Sequence, residues 1–140
     1  MIQSAEEFLR LRESEREEEY QRAAKEPASL NVWKEVIERY SYMRKWVAYN
    51  KTVPNEILQI LAQDADPEVR RMVAMRRSAG EEILERLSDD VEETVKNSVL
   101  HNPKITKKIL EKFLYDNSKI IRISARKKIK ELELGTIRRP

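Results

Sequence analysis

The chain has 140 residues, 38% of them charged, with 2 glycines, one histidine, no cysteine and a formal net charge of +3. That is enough length for a single domain with a real core, and it excludes disulfides, thiol catalysis and zinc–thiolate centres. No apolar run approaches the ~20 residues of a membrane span, and "MIQSAEEFLR" lacks the basic start and apolar block of a secretory leader, so a cytoplasmic protein is expected.

The first two predicted elements carry an acidic bias. Residues 1–40 hold 7 Lys+Arg against 10 Asp+Glu, a net of −3, whereas residues 41–140 have a net of +6. Ser4 with Glu7, and Ser14 with Glu17, have the spacing of a capping box, which predicts helices over 4–11 and 14–25. Phe8, Leu9 and Leu11 of the first, and Tyr20, Ala23 and Ala24 of the second, are the residues available to cover a core. "RESEREEE" between them has no apolar residue, so residues 1–29 read as a polar cap.

From residue 30 onward the predicted helices come in pairs. "LNVWKEVIER" and "YMRKWVAYN" form the first pair, "PNEILQILAQ" and "PEVRRMVAM" the second, "GEEILERLSD" and "VEETVKNSVLH" the third. "ITKKILEKFL" and "KIIRISARKKIKEL" form the fourth, with Ser118 placed to cap the last helix and Gly135 to end it. The breaks "NKTVP", "DADP", "RRSAG", "HNP" and "DNS" are rich in turn and cap residues. The boundaries are 30–50, 54–76, 80–101 and 105–134, and "TIRRP" reads as a loose tail within 135–140.

A step of 26 residues relates these pairs. Met43 steps to Val69, Val95 and Ile121; Val47 steps to Val73, Val99 and Ala125. Leu58 steps to Leu84 and Leu110, and Leu61 to Leu87 and Phe113. In the first pair, one residue shorter, Trp33 and Val36 take those two places. One basic column runs through Arg44, Arg70, Lys96 and Arg122, and one acidic column through Asp64, Asp90 and Asp116. No pair of such short helices can bury its apolar stripe alone, but stacked pairs can. The expectation is an all-α protein, a right-handed α-solenoid with a period of about 26 residues.

"LAQDADPEVR", "VRRMVA" and "VLHNPKITKKIL" resemble HEAT-like repeats, especially the leucine-rich-repeat variant of bacteria, in which a leucine helix, an Asp-containing turn, Val-Arg-x-x-Val-Ala and Asn-Pro follow in order. The resemblance covers residues 30 to 130, and "MRRSAGEEIL" departs from it where Asn and Pro would stand. It implies the solenoid fold and an interaction role without naming the partner.

Little in the chain offers catalytic chemistry. His101 is the single histidine, and Gly80 and Gly135 cannot make a phosphate loop. The carboxylate pairs Asp64/Asp66 and Asp89/Asp90 fall where one helix gives way to the next, which suits capping or pairing with the basic column. No enzyme, cofactor or metal is expected. The basic and acidic columns are expected to form a structural ladder between units.

Once Val69, Met72, Val73 and Arg76 are placed inward at ~100° per residue, Arg71 and Met75 point the other way. Their counterparts are Lys45 and Tyr49, Asn97 and His101, and Ile123 and Lys127. This strip of basic, aromatic and soft apolar groups has the composition of an interface. It makes a protein partner with an acidic or mixed surface the first expectation, in a toxin-neutralising or scaffold protein. The alternative is nucleic-acid binding along a basic groove formed by Lys45, Arg71, Arg126, Lys127 and Lys128. No membrane partner is expected. Ile120, Ile123, Ile129 and Leu132 of the last helix either close the core or meet another copy.

Overall fold

The computed structural model describes residues 1–135, and regular structure there is helical throughout. The helices are α1 (Ala5–Glu13), α2 (Glu17–Lys25), α3 (Leu30–Arg39), α4 (Arg44–Tyr49), α5 (Asn55–Leu61), α6 (Pro67–Ala74), α7 (Glu81–Ser88), α8 (Glu93–Leu100), α9 (Lys107–Phe113) and α10 (Lys119–Glu133). A 3-10 turn, Ser41–Met43, leads into α4. The tail expected at 136–140 lies outside the described residues.

Side-chain caps start many of these helices. Ser4 accepts from the Glu7 amide, Ser29 from Val32, Thr106 from Ile109 and Ser118 from Ile121. Asp66 accepts from Glu68 at 2.9 Å, with Pro67 in the first turn where its missing N–H costs nothing. Gly135 follows α10 at φ 71°, a left-handed conformation that suits glycine. Ser14 behaves differently from the expected cap, and α2 starts at Glu17 rather than 14. The Ser14 amide closes α1 onto Leu11 at 3.3 Å, while its hydroxyl accepts from Arg16 and donates to Glu19. Glu19 in turn binds Arg10 at 2.6 Å. A residue that ends one helix is not free to begin the next.

The arrangement is repeat-like. α3 lies against α4, α5 against α6, α7 against α8 and α9 against α10. Across units, α4 packs on α6, α6 on α8 and α8 on α10, while α1 packs on α3, α3 on α5 and α7 on α9. The 26-residue apolar columns are the core: Leu58, Leu84 and Leu110 from the first helices and Val47, Val73 and Val99 from the second are all buried. Each such side chain contributes roughly 1.5–3 kcal/mol by leaving water. Trp33 meets Phe8 edge-to-face at 5.3 Å and so joins α1 to the first pair. Ile129 and Leu132 of α10 pack against the core, whereas Ile120 and Ile123 are exposed.

Polar side chains stitch neighbouring units in two columns. Arg44 binds Asp64 at 3.1 Å, Arg70 binds Asp90 at 2.8 Å and Lys96 binds Asp116 at 3.0 Å, each acid standing 20 residues beyond its base. Each acid also accepts the amide two residues on, at 2.9 Å from Asp66, Glu92 and Ser118, which shapes its own turn. Arg70 reaches the Asp64 and Ala65 carbonyls of its own unit as well. Arg122 binds the Asp116 and Asn117 carbonyls in the same way. One guanidinium thus holds two turns at once.

The second column is Asn50, Arg76, Asn102 and Lys128. Asn50 donates to the Ala23 and Glu26 carbonyls at the end of α2, and Asn102 to those of Ala74 and Arg76 at the end of α6, in each case tying a helix one unit back. The end of α2 is therefore held as the end of α6 is. Lys128 reaches the Leu100 carbonyl at 2.7 Å, and burial pulls its ammonium below the ordinary lysine range. Arg76 breaks the pattern: its Nε is buried without a partner, and burial lowers its pKa. A buried donor left unpaired costs about 1–3 kcal/mol.

Two outcomes follow from these columns. Arg70→Ala strips the partner from Asp90, whose side chain is 7% exposed, and should cost about 3 kcal/mol in urea unfolding. Arg44→Ala, at a rung whose base is 30% exposed, should cost about 1 kcal/mol. Acid should erode stability as well. The Arg22 hydrogen bond outweighs burial and, with the terminal ammonium, lowers Glu26 to about 2. At Asp90, burial pushes upward, but the Arg70 and Glu92 hydrogen bonds bring it below the ordinary value. Both carboxylates are lowered by folding, so their stabilisation is full above the ordinary carboxylate range and, for Glu26, disappears as pH falls from about 4.5 to about 2. Urea midpoints measured across that range should fall, and Glu26→Gln should flatten the fall.

Candidate functional site

Positions 45 and 49, 71 and 75, 97 and 101, and 123 and 127 stand four apart on successive second helices. Val47, Val73, Val99 and Ala125, which are buried, fix the opposite faces of those helices inward. Tyr49, Met75 and Ile123 are 45%, 49% and 47% exposed, an unusual run of large apolar groups facing water. Asn97, His101 and Lys127 are exposed, and Lys45 and Arg71 are half-buried.

Four of these eight come together between α6 and α8. Arg71, Met75, Asn97 and His101, with Ser98 and Asn102, line an open pocket of about 250 Å³. Arg71 is already engaged: its Nε and Nη2 donate to Glu68 at 3.1 and 2.6 Å, and Nη1 lies 3.2 Å from the Met75 sulfur. That pairing raises Arg71 and lowers Glu68. His101 Nδ1 lies 2.8 Å from the Asn97 carbonyl. A carbonyl can only accept, so Nδ1 donates to it, and in the neutral ring Nε2 is then the acceptor. The pocket therefore offers a thioether wall, amide groups and one imidazole nitrogen, with its cation neutralised.

Ile123 and Lys127 on α10 do not line this pocket. Lys45 and Tyr49 border the strip on its other side, around Trp46. Lys45 Nζ stands 5.3 Å from the Trp46 ring, and Tyr49 meets that ring edge-to-face at 5.8 Å. Arg12, on α1, lays its guanidinium over the same indole at 3.4 Å, and its Nε is buried without a partner. Arg76 lies within electrostatic reach of Tyr49.

Trp46, Arg12 and Arg76 are absent from the sequence-based strip. The 26-residue step contains the signal for Arg76, because it stands where Asn50 and Asn102 stand in neighbouring units. Arg12 carries no such signal, since its contact depends on how α1 docks. Among the described residues no group of three or more His, Asp or Glu is placed to hold a metal ion, and no helix is long and apolar enough to cross a membrane. Neither a family model, nor a curated protein, nor a solved structure matches the chain.

The strip should be dispensable for folding. Met75→Asp and Ile123→Asp should each shift stability by no more than about 0.5 kcal/mol in urea unfolding. Val73→Asp, on the buried face of the same helix as Met75, should cost more than about 4 kcal/mol.

Proposed function

We propose that the chain is a right-handed, HEAT-like α-solenoid of the leucine-rich-repeat-variant type, and that it works as a non-enzymatic protein-interaction module. Its stacked helix pairs, 26-residue columns and polar ties between units support the solenoid reading. The second-helix strip binds a protein partner with an acidic or mixed surface. The observation that carries this reading is the exposure of Tyr49, Met75 and Ile123 on successive second helices whose other faces are fully used in packing. Aromatic side chains and Met are favoured at the centres of protein interfaces. Neutralising a toxin or scaffolding an assembly are both forms of this activity.

The ion pairs weigh against the nucleic-acid alternative. Of the five groove cations, Arg71 is paired with Glu68 and Lys128 is tied to the Leu100 carbonyl, so the groove does not form an unbroken track for phosphates.

Affinity capture from lysate of the native host tests the reading. Wild-type protein is compared with Tyr49→Ala/Met75→Ala on the strip and Lys107→Ala/Glu111→Ala on α9. A specific partner should be recovered by the wild type and the α9 variant, and reduced about tenfold by the strip variant. Equal recovery by all three would remove the strip as the binding surface.

A further inference from the structure

Arg12 and Arg76 differ from the other arginines of the described chain. Arg10, Arg16, Arg22, Arg39, Arg44, Arg70 and Arg71 each pair with an acid, and Arg122 binds backbone carbonyls. Arg77, Arg86 and Arg126 are exposed to water. Arg12 and Arg76 are half-buried, have an unpartnered Nε inside the protein, and keep their terminal nitrogens accessible. Neither forms an ion pair among the described residues.

Burying an arginine stem without an acceptor is unfavourable, and the fold has another solution for position 76. Asn50 and Asn102 tie a helix end one unit back with two hydrogen bonds each. The equivalent acceptors for residue 76 are the Ala48 and Asn50 carbonyls, and no side-chain donor reaches either among the described residues. An arginine there gives up those bonds and sets an uncompensated charge beside Tyr49. From α1, Arg12 brings a second guanidinium without an ion pair to the same neighbourhood by stacking on Trp46. Trp46 meets Tyr49 edge-to-face, and Arg76 lies within electrostatic reach of Tyr49, with Lys45 beside the indole. Packing holds both stems, so little freedom remains to be lost on binding.

We propose that Arg12 and Arg76 are an anchor for the carboxylates of an acidic peptide segment, with the Trp46–Tyr49 pair receiving an apolar side chain carried between them. The proposal rests on the partner-binding reading and gives it a chemical specificity. A carboxylate accepts from the terminal nitrogens of a guanidinium in a charge-assisted hydrogen bond. A peptide is favoured over a nucleic acid because Glu68 borders the site and cancels Arg71, which breaks any run of phosphate contacts.

The test is a fluorescence-anisotropy titration of purified full-length protein with a fluorescein-labelled peptide, Asp-Glu-Trp-Glu-Asp, at low salt. Its Asn-Gln-Trp-Gln-Asn counterpart and a labelled 20-nucleotide single-stranded DNA are controls. Saturable, salt-sensitive binding of the acidic peptide is expected, weakened about tenfold by Arg12→Gln and by Arg76→Asn and unchanged by Arg77→Gln. Arg76→Asn should at the same time raise the urea midpoint, because it restores the asparagine ties. A residue present only for packing would not improve stability on removal and lose binding together. Absence of saturable binding, equal binding by Arg76→Asn, or stronger arginine-dependent binding of the DNA would each overturn the proposal. Partner capture reads the strip and this titration reads the anchor, so the failure of one is distinguishable from the failure of the other.

Discussion

A base on one second helix, bound to an acid in the turn 20 residues further on, is the constraint on which the rest depends. Arg70 shows its full form, with one guanidinium joined to the carbonyls of its own turn and to Asp90 of the next. The helices are short, six to ten residues apart from α10, and too short to hold their shape in isolation. Burial of the valine and leucine columns supplies the driving force, but a hydrophobic contact tolerates sliding. The charge pairs do not, because a shift of one residue strands a half-buried carboxylate. Register along the stack, and with it the spacing of the exposed strip, is set by these pairs.

Much of this was legible in the sequence because it repeats. The apolar columns fall at buried positions since each unit faces the same neighbour in the same way, and periodicity then reports packing directly. The carboxylates between helices could be placed in turns for the same reason. What the sequence did not reveal depends on single events. Ser14 has the spacing of a capping serine, yet its amide is used to end α1, and only the packing of Glu19 onto Arg10 decides between the two roles. The stacking of Arg12 on Trp46 has no counterpart at any other unit. Arg71 reads as a free cation on a strip, and its neutralisation by Glu68 appears only when side chains are placed.

Column 76 shows what irregularity within a repeat can mean. Three of its four members tie a helix end, and the fourth leaves that end untied. A repeat protein has a ready optimum at every position, given by the residue its neighbours use there. A departure that costs hydrogen bonds and buries part of a charge identifies a position where stability has been exchanged for something else. The same comparison is not open to a fold without internal repetition.

Neutralisation of Arg71 by Glu68 also changes the shape of the field along the strip. Among the described residues Arg12 and Arg76 stand without an ion pair near Trp46 and Tyr49, Met75 and His101 follow at α6 and α8, and Ile123 stands with the exposed Lys127 on α10. The surface therefore has cations towards its two ends and a soft apolar middle with its arginine cancelled. On the proposed partner reading, an extended segment suited to it would carry carboxylates at its ends and apolar groups between them. Spacing of charge, rather than its total, is what such a pattern selects.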